Sequence, residues 1–272
     1  IIKAKKIILV GDQNQLPAYA DAEVSPTLAK LTKNPDYRLF DILYNSLPDT
    51  HKQILTTQYR MIENIGNLIS KVFYRGIIDT GCNDDEKRHG LSRYVGKSIV
   101  WFDTSANKKK SQKRTKGGSY INEEEKRIIL EILDDLKSTG ELKGLDIGII
   151  TGYSGQKELL RKSIKATGLD KIVSKIDINT LDAFQGREND IIIYSTVRTR
   201  DSIGFQKEKE RVNVAFSRAK KLLIVCGDKN FFYNFDDQDN KFVEIIDYIS
   251  KGEECEIIQC DGGKLFERES NS

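Results

Sequence analysis

The sequence predicts an α/β protein built on a parallel sheet with helices on both faces. Short continuous apolar runs alternate with stretches whose apolar residues recur at helical spacing. Several of the runs end in a polar cluster, and parallel sheets bind ligands beyond the carboxyl ends of their strands.

The elements follow in order. Lys6 to Val10 (KIILV) reads as a buried strand that ends in Gly11-Asp12. Periodicity breaks at Asn34-Pro35-Asp36 and again at Leu47-Pro48-Asp49, so a division is expected near residue 50. This gives a first, incomplete domain (1–50), a complete second one (51–235), and a C-terminal helix and tail (236–272). Within the second domain, strands are expected at Ser98–Phe102, Asp146–Ile150, Lys175–Asn179, Asp190–Thr196 and Lys221–Cys226. Between Asn122 and Lys137, Ile128, Ile129, Ile132, Leu133 and Leu136 fall on one helical face. Asn122 as N-cap and Glu125 three residues on have the form of a capping box. Ser154 is placed to start the helix that carries Leu159, Leu160 and Ile164. The tail offers a helix through Phe242, Ile245, Ile246 and Ile249, a short strand around Ile257, and no assignable chemistry.

At 272 residues and 38% apolar, with four prolines, the chain has the composition of a globular protein rather than a disordered one. A net charge of +3, from 44 basic and 41 acidic residues, neither requires nor excludes a nucleic-acid partner, because local patches bind phosphate. No apolar run approaches the ~20 residues of a membrane span, so no membrane partner is expected. Cys82, Cys226, Cys255 and Cys260 form no CxxC pair. The spacing of Cys255 and Cys260 lacks the second pair or histidine that a metal site needs, so no metal ligands are assigned. Reduced thiols point to an intracellular, cytoplasmic protein, or a nuclear one in a eukaryote. Between Asn107 and Gly118 (NKKKSQKRTKGG), Lys108, Lys109, Lys110, Lys113, Arg114 and Lys116 occur with no acidic residue among them. Such a run is a solvated, mobile loop or a phosphate-tracking arm.

Three strands end in polar clusters, at Gly11–Pro17, Thr180–Glu188 and Thr196–Arg198, which together make a shared site. Arg60 follows Gln58-Tyr59, and Arg218 is expected on a helix with Val214 and Ala215 facing inward. A lone surface arginine contributes little, but phosphoryl transfer needs fixed positive charge, and arginine supplies it in a rigid fork. Gly186 lets backbone come close to a phosphate.

The four segments GDQNQLP, QYRM, DAFQGRE and NVAFSRA, in this order, resemble motifs III, IV, V and VI of superfamily 1 helicases. The branch resembled is the one containing the nonsense-mediated-decay helicase and senataxin, and the likeness spans roughly residues 5 to 230. It implies that residues 51–235 are a RecA-like second motor domain, preceded by a remnant of the first. It implies an enzyme that couples ATP hydrolysis, with Mg2+, to 5′-to-3′ translocation on single-stranded DNA or RNA and to duplex unwinding. Gln15 matches the glutamine that senses the γ-phosphate, and Arg60 and Arg218 match the two arginine fingers. Tyr59 corresponds to an adenine-stacking position, and Gly186 and Glu188 to positions near the γ-phosphate and ribose. Thr151, Tyr153, Thr180 and Arg198 look like the strand-end residues that hold a sugar–phosphate backbone.

The sequence departs from the family at Gly152, where many relatives carry proline, and at Ala18, where a second proline is frequent. The larger departure is the phosphate loop GxxxxGK[ST] and its acidic magnesium pair. Gly90 to Ser98 has one residue too many between its glycines and leads into a strand, not a helix, so it does not qualify. Both elements are expected upstream of Ile1, in a first motor domain of the same parent chain, and this chain alone is expected to be inactive. The competing expectation is a catalytically silent nucleic-acid-binding scaffold that keeps the fold; retention of Gln15, Arg60 and Arg218 counts against it.

Overall fold

The chain divides after Leu55 into two units. The computed structural model describes residues 5–16, 39–141, 144–169, 176–184 and 186–266. The break at 34–36 and Pro17, Ala18, Lys175 and Gln185 therefore lie outside the described residues.

In the first unit, Lys6–Val10 is not a strand. Ile8 is 89% and Val10 90% exposed. An Ile/Val run becomes a buried strand only where a neighbour completes its hydrogen bonds, and among the described residues none pairs with it. The turn that follows is held by Asp12, whose carboxylate accepts from Asn14 N (2.9 Å) and from Gln15 Nε2 (2.8 Å). Helix α1 (Leu39–Ser46) completes the described part of this unit apart from a short 3-10 turn at Asp49–His51.

The second unit begins with a small parallel pair, β1 (Thr57–Gln58) and β2 (Asp79–Thr80), joined through α2 (Glu63–Phe73). The four-residue α3 (Asp84–Lys87) follows. Next come β3 (Ile99–Asp103), a hairpin of β4 (Lys113–Arg114) and β5 (Tyr120–Ile121), and α4 (Glu123–Ser138). β6 (Ile147–Thr151), α5 (Ser154–Ala166), β7 (Ile176–Thr180) and β8 (Asn189–Ser195) continue the alternation. The chain then forms α6 (Lys209–Phe216), β9 (Ala219–Gly227), α7 (Lys229–Tyr233), α8 (Lys241–Lys251) and β10 (Cys255–Gln259).

Six strands form one sheet in the order β10-β3-β9-β8-β6-β7, every neighbour parallel. Both faces of the central strands are covered, which is why β3, β6 and the middles of β8 and β9 are apolar on both sides, whereas the edge strands β7 (IDINT) and β10 (CEIIQ) carry polar residues. On one face Val100, Phe102, Ile149, Ile193 and Ile224 pack with Ile128, Ile132 and Leu136 of α4 and Leu160 of α5. On the other, Trp101 meets Phe242 edge to face at 6.2 Å and Tyr194 meets Phe216 at 5.4 Å, bringing α8 and α6 onto the sheet. Burying each such side chain stabilises the fold by about 1.5–3 kcal/mol.

The stretch after residue 235, expected as a C-terminal helix and tail with a short strand around Ile257, supplies α8 and β10. β10 hydrogen-bonds to β3 as the edge strand, in register from Cys255 opposite Ile99 to Gln259 opposite Asp103. Without it the apolar edge of β3 would lack its ladder partners. Buried Cys226 is a small hydrophobe, and its burial pushes the thiol pKa well up.

The capping box is half right. Asn122 does cap α4, its Oδ1 accepting from the backbone N–H groups of Glu124 and Glu125 (3.1 Å each). The Asn122 N–H, however, goes to Gln156 Oε1 at 2.8 Å instead of Glu125. Glu125 lies on the buried stripe with Ile128 and Ile132, and its carboxylate points at the sheet.

Candidate functional site

A first cluster is assembled around the Gln58–Arg60 turn. Gln58 Oε1 accepts from Arg60 N (2.9 Å) and Met61 N (2.8 Å), while its Nε2 donates to Met61 O (3.0 Å) and Thr80 Oγ1 (2.7 Å). One amide side chain thus templates the turn. Gly66 is required beneath it, since a Cβ there would lie 2.4 Å from Thr80 Oγ1 and 2.7 Å from Gln58 Nε2. Lys87 of α3 closes the turn from the other side, donating to the carbonyls of Tyr59 and, at 2.6 Å, Arg60. Tyr59 is left 69% exposed, with its ring over Gly81.

Arg60 Nε donates to Glu188 Oε2 at 2.6 Å and its Nη1 to Ser217 O at 3.3 Å. This hydrogen bond holds the Glu188 carboxyl below its usual range, with the charges of Lys220 and Arg218 adding to the effect. Arg218 stands past the end of α6 rather than on it: the helix closes at Phe216, and Arg218 leads into β9. Ser217 as C-cap turns the chain, so the guanidinium folds back to donate from Nε to Val214 O (3.0 Å) and from Nη1 to Arg187 O (3.3 Å). Arg218 is 3% exposed. Both arginines therefore converge on the loop after β7: Arg60 on the carboxylate of Glu188, Arg218 on the carbonyl of Arg187. Gly186, at the start of that segment, has φ +83°, and a Cβ built there would meet nothing within 4 Å. Gly186 itself is exposed. Gln15 belongs to the first unit and is described above.

A second cluster lies at the ends of β6, β7 and β8. Thr151 is in register with Thr180 on one side and Ser195 on the other. Thr180 is half-buried, whereas Thr151, Tyr153 and Arg198 are buried. Arg198 donates from Nε to Ser202 O (2.7 Å) and from Nη2 to Arg200 O (3.3 Å), and its guanidinium lies 4.2 Å from the centre of the Tyr120 ring. Tyr153 packs against Tyr120 and Phe205, each at 5.7 Å, and burial pushes its phenol pKa up against the pull of Arg198. Its hydroxyl has no hydrogen-bond partner among the described residues.

Glu125 was not foreseen as a site residue, yet it organises this second cluster. Its carboxylate accepts from Ser195 Oγ (2.6 Å), Thr196 Oγ1 (3.1 Å), Asn122 Nδ2 (3.2 Å) and, through both oxygens, Val197 N (2.9 Å). Burial pushes its pKa up to about 7, although the donors on Ser195, Val197 and Thr196 favour the ionised form. Val197 has φ +68°, an unfavourable conformation for a β-branched residue that costs on the order of 1–3 kcal/mol. The Glu125 clamp holds the chain in that conformation, and it thereby sets where Arg198 and Thr199 emerge. The signal in the sequence was a glutamate three residues before Ile128 on the apolar stripe, a pattern that also fits a cap.

Residues 36–230 match the family model described as AAA domain. An uncharacterized ATP-dependent helicase of Methanocaldococcus jannaschii is 32% identical over 265 residues, covering 93% of this chain and 36% of that protein. Helicase sen1 of Schizosaccharomyces pombe is 33% identical over 236 residues, covering 83% of this chain and 13% of that protein. The ATP-dependent helicase upf1 of the same yeast is 32% identical over 237 residues, covering 84% of this chain and 24% of its own length. The chain thus spans little more than a third, at most, of each of these relatives. Among solved structures, the C-terminal domain of a possible DNA helicase from a Lactobacillus is a loose likeness. It has a TM-score of 0.38 at 15% identity over 63% of this chain and 88% of that one, too loose to bear on function.

Proposed function

The chain belongs to the AAA domain family, in the superfamily 1 helicase branch of the nonsense-mediated-decay helicase and senataxin, and from that membership we propose that it is the C-terminal part of an ATP-dependent helicase. In this reading residues 51–235 serve as the second motor domain, and residues 1–50 belong to the first. The parent protein moves 5′ to 3′ along single-stranded DNA or RNA inside the cell and unwinds duplexes.

The observation that carries the reading is the convergence of Arg60 and Arg218 on residues 186–188. The donor set fits the phosphates of a nucleotide: two guanidinium forks, an open glycine backbone, and an exposed tyrosine ring. It does not fit Mg2+, because Glu188, the carboxylate at this corner, is engaged by Arg60. The metal is therefore assigned, with the phosphate loop, to the first motor domain. ATP supplies the phosphoanhydride to be cleaved. Arg60, half-exposed in its pair with Glu188, is held where an incoming anion competes with that carboxylate for the guanidinium. Arg218 is fixed by backbone carbonyls, so its charge is pre-oriented rather than recruited. Tyr59 offers a face to the base, and Gly186 and Glu188 border the terminal phosphate and ribose. Gln15 acts as the γ-phosphate sensor. Thr180, with Thr151, Tyr153 and Arg198 behind it, forms the surface that takes the single strand.

ATP hydrolysis by the intact parent chain, measured with no polymer, with single-stranded DNA and with single-stranded RNA, tests this reading. Strong stimulation by one polymer is expected and names the track. Absence of stimulation by either would instead make the chain a silent scaffold. The 272-residue chain alone is expected to show no turnover.

A further inference from the structure

The basic run between Asn107 and Gly118 is neither a free loop nor one uniform patch. Buried Asn107, Gln112 and Asn122 anchor it. Asn107 Oδ1 accepts from Lys109 N at 2.7 Å, and Asn122 Nδ2 donates to Lys110 O at 2.8 Å. Gln112 exchanges two hydrogen bonds with Thr199, of 3.1 and 2.9 Å. Lys110 is spent on structure, its ammonium 2.7 Å from the Asp228 carboxylate. The turn closes through Thr115 N to Ser119 O (2.7 Å) and Gly118 N to Thr115 O (3.0 Å). It rests on the start of α5: Ser119 Oγ accepts from Gly155 N at 3.0 Å, and a Cβ on Gly155 would lie 3.1 Å from Thr115 Cγ2 and from Tyr120 O.

Lys108, Lys109, Lys113, Arg114 and Lys116 remain exposed, and none forms an ion pair among the described residues. They do not share one environment. Lys109 and Lys113 border a cleft of about 850 Å3 that Lys126, Arg127, Glu123, Glu124, Glu131 and Asp134 also line, where Glu123 pairs with Lys126 and both Glu124 and Glu131 pair with Arg127. Arg114 stands opposite Tyr120 in the hairpin register, and the Tyr120 ring touches Tyr153 and underlies Arg198 at the ends of the central strands. Arg114 and Lys116 thus adjoin the strand-end surface on a rigid support.

We propose that Arg114 and Lys116, at the turn of this hairpin, form a phosphate-binding arm that grips the sugar–phosphate backbone of a single strand lying across the ends of β6 and β7. The inference rests on the nucleic-acid reading above and adds a contact surface to it. Two cations preset on a hairpin pinned at its base lose little freedom when phosphate arrives. Because they read phosphate and not sugar, the arm serves DNA and RNA alike.

Fluorescence anisotropy of the 272-residue chain with labelled oligothymidylate and oligouridylate, titrated from about 50 to 200 mM salt, tests it. Arg114→Gln with Lys116→Gln is expected to make the logarithmic salt slope shallower by about 1.4, from roughly 0.7 per phosphate contact on a single strand. Affinity at 0.1 M salt falls about tenfold or more, equally for both polymers. Lys109→Gln with Lys113→Gln removes the same charge and is expected to move both quantities less. Equal losses from the two pairs, or none from the first, overturn the arm while leaving the nucleic-acid reading intact. A wild-type chain that binds neither polymer at low salt overturns both. Lys116→Gln alone, at an exposed turn position, should give about half the slope change, and it serves if the double variant melts early.

Discussion

The two strand-end clusters use the same residue type in opposite ways. At the corner of Arg60, Glu188 and Arg218, a half-exposed guanidinium is held by one carboxylate that is itself 45% exposed. At the corner of Tyr153, Glu125 and Arg198, the charged groups are buried, and a strained backbone is held by a carboxylate with four donors. Arg60 is held by a carboxylate that solvent reaches, whereas Arg198, like Arg218, is buried and held by backbone carbonyls.

The strongest way to break this contrast is through turnover of the parent enzyme. Arg60→Ala and Arg218→Ala should each lower kcat by ~10³–10⁵, the range seen for arginine fingers. Arg60→Ala should leave the melting temperature nearly unchanged, since it removes a half-exposed pair, whereas Arg218→Ala also empties a buried position. Equal kcat in wild type and both variants would remove the arginine corner from the chemistry.

Stability comes next. Glu125→Ala leaves buried donors from Ser195, Thr196, Val197 and Asn122 without their acceptor, and it should cost about 3 kcal/mol or more in denaturant unfolding. Glu188→Ala, at the exposed corner, should cost under ~1 kcal/mol. Comparable losses from the two would mean that both corners are structural.

The pH dependence sharpens the comparison further. Burial pushes the Glu125 pKa from the ordinary carboxylate value of 4.5 up to about 7 in the folded chain. Its contribution is therefore fully present below about 4.5 and is lost as pH rises through 7. Glu188 is shifted the other way, so its contribution is present above the ordinary carboxylate range and is lost as pH falls through its lowered pKa. Melting curves between pH 5 and 8 should show a decline in the wild type that Glu125→Gln flattens and Glu188→Gln does not. Gly204 has φ +63° and a built Cβ 2.2 Å from Tyr153 Oη, so it tests the second corner without touching the first. Gly204→Ala should lower stability by more than about 1 kcal/mol and should leave the Arg60 corner untouched.

Much of the fold could be read from local pattern. The runs at Ile99–Phe102, Ile147–Ile150, Asp190–Ser195 and Lys221–Cys226 are strands within a residue or two of expectation, because a doubly covered strand must be apolar along its whole length. Helix α4 and its Asn122 cap were legible for the same reason: period and cap are both local. Lys6–Val10 shows the limit of that reasoning, since an apolar run states what could be buried and not whether a neighbour is present to bury it.

The residue types of the candidate site, and their order along the chain, were set by the sequence alone: Tyr59 and Arg60, then Thr151 and Tyr153, then Thr180 to Glu188, then Arg198 and Arg218. Tertiary structure decided which of them meet. Arg60 finds Glu188 across 128 positions, β10 reaches the edge of β3 from the far end of the chain, and Glu125 turns from a cap into a clamp. Such pairings depend on which distant segments a common core brings together, and that is a property of the packed whole. A periodicity read over a few turns of chain carries no record of it.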